Sequence, residues 1–437
     1  MRDPEGGLEF RNTEVIRHLY ADLSEQHFLK SEIAQKLVEN SHLIDFQIID
    51  EKTISSPRIS FITYPYEWVN AQLVDAAALT LDISEAVFEQ GWELKDGSAW
   101  NIVFQGTRPL FCDHLSFQKI EDPRWWAFAQ YVRHFLLPLC LSRYRGLDAK
   151  NVFRMARDGL SPDDARSLMG SRRFATRYWP LMLGSKSSKK SLNDVQNKTV
   201  RSYHQNLYAL TRWLLDGVSS CRSNGSHWIQ YTKERDHYTD DASRAKQSTV
   251  KSWLEEIRPA WVIDFGCNTG EFSLLAKAAG AKVVAIDIDH DSVQSLYLSC
   301  SADESIFLVV ADLDDLSGGR GWGGEEFPGL VTRLTGFGDV TMMLALIHHL
   351  AISSAIPYEE IARLAHKVTK RALIVELLDE TDPLVKRLCS QRRRLPPEFS
   401  FARQHAAFSK FFRIAHEIAL PGGTRRLALM EPHEVIT

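Results

Sequence analysis

The stretch that most constrains the fold runs from Trp261 to Asp289 and reads WVIDFGCNTGEFSLLAKAAGAKVVAIDID. Its apolar start, residues 261–263, is typical of a buried parallel strand, because both faces of such a strand are covered and polar alternation disappears. A glycine-containing loop follows, then a helical stretch from Glu271 to Ala279 and a second strand from Lys282 to Asp287. The stretch therefore predicts a strand, loop, helix and strand unit.

An acidic residue ends the second strand of this unit. Asp287 lies 21 residues after Gly266, where a carboxylate can accept hydrogen bonds from ribose hydroxyls. We interpret the unit as a nucleoside-binding site. The alternative is that the glycines only form a tight turn and that Asp287 caps a helix.

The residue spacing in the loop indicates which nucleoside-containing ligand the site binds. A dinucleotide site requires G-x-G-x-x-G, whereas this loop has the spacing Asp264-Phe-Gly266-Cys-Asn268-Thr-Gly270. That spacing resembles motif I of class I S-adenosylmethionine (AdoMet)-dependent methyltransferases, D-x-G-x-G-x-G. Asn268 replaces the middle glycine, and asparagine tolerates a left-handed backbone better than most residues. Later acidic residues follow in the order that this family requires.

The resemblance implies an α/β fold with a Rossmann-like, seven-stranded, mostly parallel sheet that ends in a hairpin, Phe412–Ala419 with Arg425–Met430. It also implies AdoMet as the cofactor. Asp312 would bind the adenine amino group, and the Leu313 backbone would meet the adenine ring. The implied cofactor-binding residues are Asp264, Gly266, Asn268, Gly270, Asp287, Asp312 and Leu313.

Two histidines follow the predicted fourth strand, Val340–Leu346, at positions 348 and 349. Ligands of open α/β sheets bind beyond the carboxyl ends of the strands, so His348 and His349 are expected on the acceptor side of the cofactor. An imidazole suits removal of a hydroxyl proton, and the Asn-Pro-Pro-Tyr or Asp-Pro-Pro-Tyr sequence of amine methylation is absent. Either histidine is a candidate catalytic base; alternatively, both pack and bond backbone. Glu376, at the end of the fifth strand, is a candidate acceptor contact.

The N-terminal half carries a second polar constellation. Asp96 and Asn101 are five residues apart, and Asp113 follows a predicted hairpin of strands 100–104 and 109–112. The pattern resembles the catalytic and metal-binding loop of protein kinases and small-molecule phosphotransferases, D-x-x-x-x-N with a later Asp. No upstream glycine-rich phosphate loop or strand lysine is visible. We therefore interpret these side chains as acceptor-binding anchors, with turn-capping as the alternative.

The sequence predicts three parts: an α+β domain at 1–184, a linker and helical lead-in at 185–250, and the methyltransferase domain at 251–437. Within the first part, helices are expected from about Glu14 to Ser24 and from Glu32 to Glu39. In the lead-in, Tyr238 and Lys246 are candidates to close over the cofactor or, equally, to pack against the first strand of the sheet.

The composition excludes an overall electrostatic attraction to nucleic acid or anionic membrane, because the formal net charge is -4. Only two short basic runs favour nucleic acid, Arg172–Arg173 and Lys186–Lys190, and we do not expect nucleic acid as a partner. The six cysteines lack C-x-x-C spacing, so we predict neither a metal site nor disulfides and expect a cytoplasmic protein. No transmembrane segment or signal peptide is predicted. The oligomeric state stays open.

Several blocks extend the resemblance to the whole chain: YPYEW, LKDGSAWNIVF, LFCDHLSF, LALIHHLAI and IVELLDETDPLVKRL. Together they are similar to a bacterial family of two-part AdoMet-dependent methyltransferases associated with surface or signalling saccharides, which includes host-specific nodulation proteins of rhizobia. Membership implies a small-molecule acceptor, a saccharide or lipo-oligosaccharide hydroxyl. The alternatives are a nucleic-acid methyltransferase and a non-catalytic AdoMet-binding or kinase-like scaffold.

Overall fold

The chain folds into two units, Met1–Asn224 and Gly225–Thr437. The computed structural model describes residues 5–24, 27–120, 125–183, 197–219, 240–392 and 399–433.

The first unit contains a four-stranded antiparallel sheet, two short two-stranded ladders and a helical part. Its strands are β1 (Gly6–Phe10), β2 (Glu14–Leu19), β3 (Gln47–Asp50), β4 (Thr53–Pro57), β5 (Trp92–Leu94), β6 (Ile102–Gln105), β7 (Arg108–Phe111) and β8 (Phe117–Lys119). Its helices are α1 (Glu32–Glu39), α2 (Asn70–Phe88), α3 (Phe128–Tyr131), α4 (Leu137–Arg145), α5 (Ala149–Met155), α6 (Pro162–Met169) and α7 (Asn197–Ser219). The sheet order is β1-β2-β4-β3, while β5 pairs with β8 and β6 with β7.

The helix predicted from Glu14 to Ser24 is wrong, because residues 14–19 form strand β2. Val15, Ile16 and Leu19 have a spacing that fits a helix, but two of them are β-branched and therefore suit a pleated surface. Pairing with β1 on one side and β4 on the other satisfies the backbone of β2. Tertiary pairing thus overrides a short and ambiguous pattern. The predicted helix from Glu32 to Glu39 is confirmed as α1.

Helix α7 belongs to the first unit. The guanidinium of Arg212 on α7 lies 2.8 Å from the carboxylate of Asp82 and 2.9 Å from that of Glu85, both on α2. These ion pairs are partly exposed, so each contributes about 1 kcal/mol at most. The predicted hairpin at 100–112 is confirmed as β6 and β7, with Gly106 in the left-handed region that its tight turn requires.

The second unit contains one seven-stranded mixed sheet, which confirms that part of the predicted fold. Its strands are β9 (Trp261–Phe265), β10 (Lys282–Asp287), β11 (Ile306–Val310), β12 (Gly338–Met343), β13 (Thr369–Leu378), β14 (Phe412–Ala419) and β15 (Arg425–Pro432). Its helices are α8 (Asp240–Ile257), α9 (Glu271–Ala278), α10 (His290–Ser299), α11 (Leu330–Leu334), α12 (Tyr358–Val368), α13 (Pro383–Arg392) and α14 (Phe401–Phe408).

The order of this sheet is β11-β10-β9-β12-β13-β15-β14. The first five strands of that order are parallel, and the closing hairpin pairs antiparallel with β13 through β15. Every side chain of β11 is buried although β11 is an edge strand, which explains its unbroken apolar sequence IFLVV. Because the five strands are parallel, their carboxyl ends and the loops that follow them meet at one edge of the sheet.

Asp339 caps the opposite edge of the sheet. Its carboxylate accepts hydrogen bonds from the backbone N–H groups of Ala260, at 2.8 Å, and of Trp261, at 3.0 Å, where β9 begins. Within the described ranges, no helix is both long and apolar enough to cross a bilayer.

Gly270, at the start of α9, combines a left-handed backbone with a tight contact. Its φ is 87°, and a Cβ atom added there would lie 2.4 Å from Cδ1 of Leu296, a side chain with no exposed surface on α10. Gly280 has a similar φ, 91°, but a Cβ atom there would meet nothing within 4 Å. The two glycines therefore separate backbone strain from steric overlap.

We predict that Gly280→Ala lowers the free energy of unfolding by about 1–2 kcal/mol through backbone strain alone. Gly270→Ala should cost about 3 kcal/mol, because Leu296 must also move within a filled core. Urea denaturation followed by circular dichroism measures both changes. Equal losses would contradict the steric part of this explanation.

Candidate AdoMet-binding site

The loop between β9 and α9 is tied to the end of the neighbouring strand β10. The N–H groups of Gly266 and Cys267 donate to the carbonyl oxygen of Ile286, at 2.8 and 3.1 Å. The next N–H, that of Asn268, donates to Oδ2 of Asp287 at 2.8 Å. Gly266 and Asn268 have φ values of 76° and 49°, so the loop uses the left-handed region at both positions. Three consecutive residues of the motif are thus anchored to the end of β10.

Asp287 is partly buried where β10 ends. Its Oδ1 accepts the N–H of Asp289 at 2.9 Å, so each carboxylate oxygen already has one backbone donor. Burial raises the pKa of Asp287, whereas the backbone donors of Asp289 and Asn268 oppose that shift. Each carboxylate oxygen can accept more than one hydrogen bond, so acceptor capacity remains for ribose hydroxyls.

Asp264 lies beneath the loop. It is buried on β9, and its Oδ2 accepts a 2.6 Å hydrogen bond from Oγ of Ser273 on α9. Burial raises the pKa of Asp264 to about 6, and the Ser273 hydrogen bond partly counteracts that shift. The observed contact joins the strand before the loop to the helix after it. Ser273 was not identified from the sequence, because a serine on a short amphipathic helix has no distinguishing signal.

Asp312 and Leu313 follow β11 and are partly buried. The N–H of Ala311 donates to the carbonyl oxygen of Asp287 at 2.9 Å, which brings this segment alongside the end of β10. Burial raises the pKa of Asp312, and a hydrogen bond with the Asp314 side chain adds to that shift. The segment is therefore next to Asp287 at the edge of the sheet.

These residues fit AdoMet. The ribose would be held by Asp287, and the adenine by Asp312 and the Leu313 backbone. A Cβ atom at Gly266 would lie 3.4 Å from Cδ1 of Leu346, an ordinary contact, so the left-handed φ of 76° rather than crowding favours glycine there. When bound, AdoMet supplies a methyl group on a positively charged sulfur.

The two histidines begin the irregular segment after β12. His348 has no exposed surface, and neither of its ring nitrogens has a hydrogen-bonding partner among the described residues. His349 is partly buried at the start of a π-helical turn, His349–Ser353, and its ring centroid lies 4.2 Å from that of His348. Burial lowers the pKa of His348 well below its usual value and that of His349 to about 4. Both imidazoles are therefore neutral at pH 7.

Glu376 is buried on β13, and both of its carboxylate oxygens are bonded. Oε2 lies 2.6 Å from Nζ of Lys246, and Oε1 lies 3.1 Å from Nη1 of Arg425. Lys246, from the predicted lead-in, is thus buried on α8 as a partner of Glu376. Arg425 was not identified as a site residue from the sequence. Tyr238 lies outside the described residues.

The first unit brings its three polar candidates close together. Oγ of Ser116 donates to Oδ2 of Asp113 at 2.6 Å and accepts from Nδ2 of Asn101 at 3.2 Å. Burial raises the pKa of Asp96, and the charge of Asp113 adds to that shift, which indicates that the two carboxylates are neighbours. The spacing of these residues in the sequence therefore corresponds to one polar cluster, in which Ser116 is an additional member.

Arg17 of β2 reaches the same cluster. Its Nη1 lies 3.2 Å from Oδ1 of Asp113, and both side chains are largely buried. The sequence could not indicate this contact, since 96 residues separate the two positions. In the described parts of the chain, no group of three or more His, Cys, Asp or Glu side chains is arranged to hold a metal ion.

The anchored glycine loop, the acid at the end of β10 and the order of the seven strands define the class. The chain is an AdoMet-dependent methyltransferase. Over nearly its whole length it is similar to the nodulation protein NoeA of Rhizobium meliloti (strain 1021), with 26% identity over 463 aligned residues that cover 99% of this chain and 95% of NoeA. Residues 230–317 also match the family described as tellurite resistance protein TehB.

Solved structures with partial similarity include three methyltransferases. Magnesium protoporphyrin IX methyltransferase (ChlM) from Synechocystis PCC 6803 with bound SAH is 17% identical and covers 55% of this chain and all of its own, with a TM-score of 0.33. N-methyltransferase NodS from Bradyrhizobium japonicum WM9 is 10% identical and covers 45% of this chain and 98% of its own, with a TM-score of 0.33. The bifunctional kinase-methyltransferase WbdD is 21% identical and covers 46% of this chain and 41% of its own, with a TM-score of 0.33.

We predict that Asp287→Ala weakens AdoMet binding by about 1–3 kcal/mol, because ribose hydroxyls lose a partly buried acceptor and the Asn268 N–H loses its partner. Isothermal titration calorimetry measures the change. Asp339→Ala is the matched control, since it removes a carboxylate with two backbone donors at the opposite edge of the same sheet. Unchanged affinity in Asp287→Ala would exclude Asp287 from the cofactor site.

Proposed function

We propose that the protein transfers the methyl group of AdoMet to a hydroxyl oxygen of a saccharide or lipo-oligosaccharide. The observation that carries this proposal is the pair of neutral imidazoles, His348 and His349, in the segment that follows β12 and contains Leu346, the residue that faces Gly266. An uncharged imidazole can take the proton that a hydroxyl loses as its oxygen bonds the methyl carbon. The proposal assigns that step to one of the two histidines.

His349 is the better placed of the two for acceptor contact. His348 has no exposed surface, whereas His349 is only partly buried. The low pKa of His349 makes it a weak base but keeps it unprotonated across the physiological range. After transfer, an imidazolium with so low a pKa returns its proton to water readily, which regenerates the neutral base.

The acceptor class rests on the relative and on the chemistry of the strand end. NoeA is named as a nodulation protein, and nodulation signalling is the setting that we propose for this chain. The segment after β12 reads Leu-Ala-Leu-Ile-His-His, without the Pro-Pro-Tyr sequence associated with amine methylation. An alcohol oxygen must lose a proton when it is methylated. A side chain that acts as a base therefore suits an alcohol acceptor better than the Pro-Pro-Tyr loop of amine methylation does.

We infer that the first unit recognises the acceptor. Asp96, Asn101 and Asp113 offer carboxylate and amide groups of the kind that bind sugar hydroxyls, and positioning a flexible acceptor supplies much of the rate in group transfer. Phosphotransfer is disfavoured at this cluster. The guanidinium of Arg17 already neutralises Asp113, the residue that would bind the metal of a nucleotide in a kinase-like loop.

The acceptor class is tested by incubating the full chain with isotope-labelled AdoMet and either a rhizobial lipo-oligosaccharide extract or total RNA. We expect label in the sugar fraction, recovered as a methoxyl group after methanolysis and mass spectrometry. Asp287→Ala serves as the transfer-deficient control. Label found only in RNA, with steep salt dependence, would favour the nucleic-acid alternative, and no transfer despite AdoMet binding would favour the non-catalytic scaffold.

The base assignment predicts a pH profile. Because burial lowers the pKa of His349 to about 4, the neutral form persists above that pH, so kcat/KM should be level from about pH 5 to 8 and fall as the pH drops through about 4. His349→Gln should lower kcat about 100-fold or more at pH 7, and His348→Gln reports whether the buried ring contributes. An acidic limb near the usual histidine pKa would contradict the assignment.

The acceptor-recognition role predicts that Asp113→Ala lowers methyl transfer about tenfold or more while leaving AdoMet affinity intact, because only acceptor positioning is lost. Asp163→Ala, which removes an exposed acid of the same unit, should change neither. Thermal shift with ATP and magnesium distinguishes the kinase alternative. A magnesium-dependent stabilisation by ATP that Asp113→Ala abolishes would contradict the proposed role.

A further inference from the structure

Four charged side chains of the second unit are buried together. Lys246 of α8 and Arg425 of β15 both contact Glu376 of β13, at 2.6 and 3.1 Å. Nε of Arg425 also lies 2.7 Å from Oδ2 of Asp382, between β13 and α13. We call Lys246, Glu376, Arg425 and Asp382 the buried charge cluster. Their side chains are 7% exposed or less, so water screens them little.

The cluster is electrically balanced. Two cations face two carboxylates, and the geometry is that of charge-assisted hydrogen bonds. A buried ion pair adds little net stability over well-packed apolar residues, whereas removing one partner leaves an uncompensated charge in a medium of low dielectric constant. The presence of four such charges therefore needs an explanation other than fold stability.

The contacts of Glu376 provide one. Oε2 of Glu376, besides meeting Lys246, accepts the backbone N–H of Ala345 at 2.8 Å. Ala345 has a φ of 52°, a left-handed conformation that alanine adopts only under constraint. Ala345 directly precedes Leu346, the side chain opposite Gly266, and lies three residues before His348. Glu376 thus holds the turn that leads from β12 into the histidines.

Lys246 connects the same turn to the cofactor loop. Its Nζ lies 4.9 Å from the ring centroid of Phe272, on the first turn of α9. Burial raises the pKa of Asp264, and the ammonium group of Lys246 partly opposes that rise, as a positive charge near a carboxyl group does. The buried ammonium group of Lys246 therefore contacts both α9, which follows the glycine loop, and Glu376, whose carboxylate binds the N–H of Ala345.

We propose that Lys246 and Glu376 are positioning residues for methyl transfer: the pair holds the Ala345 turn in its left-handed form, which places Leu346 against the glycine loop and fixes the segment that carries the two histidines. This inference rests on the proposed function only in placing the acceptor next to the histidines. It assigns the pair no contact with the reacting atoms.

The charges of Lys246 and Glu376 should influence the pKa of His348, an effect that packing alone would not produce. Burial is the largest cause that lowers the pKa of His348. Electrostatic interactions with His349, Arg425 and Lys246 lower it further. The ionisable groups around this ring, directly or through a partner, are Lys246 of α8, Glu376 of β13, Arg425 of β15, Asp382, Arg387 of α13 and His349. Removing the Lys246 charge should raise the pKa of His348, and removing the Glu376 charge should lower it further.

The experiment compares Lys246→Met with Glu376→Gln in the full chain. Histidine-selective isotope labelling and NMR follow the titration of His348, whose signal is identified by its loss in His348→Gln. We expect an upward pKa shift in Lys246→Met and none upward in Glu376→Gln. Both variants should lower kcat about 10- to 100-fold, with the Kd of AdoMet from calorimetry changed by less than about threefold.

Three further variants separate charge balance from folding. Lys246→Arg keeps the charge and should retain most of the activity, and the double variant Lys246→Met/Glu376→Gln should exceed the less active single variant because neutrality is restored. Lys251→Met, on the exposed side of the same helix, should change nothing, since its ion pair with Glu255 is solvated.

The proposal is overturned if both single variants lose stability, AdoMet affinity and kcat together while His348 titrates as in the wild type, because that outcome describes a purely structural pair. If a single variant does not fold, the comparison of Lys246→Arg with the double variant decides in the same way. The proposed function fails separately, when the wild type methylates no saccharide. The NMR titration and AdoMet calorimetry need no acceptor and therefore still test the positioning role.

Discussion

The hydrogen bond from the Asn268 N–H to the Asp287 carboxylate is the contact on which the candidate cofactor site depends. It joins the loop after one strand to the end of its neighbour, and it can form only because β9 and β10 are parallel and end at the same edge. The donors of Gly266 and Cys267 to β10 add to the same junction. A loop that would otherwise sample many conformations is thereby fixed before any ligand arrives, so binding requires little further ordering.

The sequence predicted the second unit well because its signals are local. Parallel strands covered on both faces appear as short apolar runs, and glycines and acids mark where they end, so all seven strands could be assigned. The first unit was harder to predict. Val15 and Ile16 have a spacing compatible with helix or strand, and only the neighbouring strands β1 and β4, which no local pattern specifies, decide between the two.

The candidate site shows the same division between local and distant information. Asp264, Asp287 and the glycines belong to one motif and could be named from it. The ion pairs of Glu376 with Lys246 and Arg425 could not be predicted from the sequence. Lys246 and Glu376 are 130 residues apart, and Arg425 is 49 residues beyond Glu376. Pairing of β13 with β15 brings Arg425 opposite Leu378, and that register cannot be read from composition or periodicity.

The antiparallel strand β15 gives the end of the sheet a role beyond closing an edge. Lys246, Glu376 and Asp382 leave the ribosome before Arg425 does, so during synthesis the two carboxylates outnumber their cationic partners until the final hairpin docks. Burying an unbalanced charge is costly, so the ion pairs of Glu376 and Asp382 with Arg425 are completed only when β15 joins the sheet.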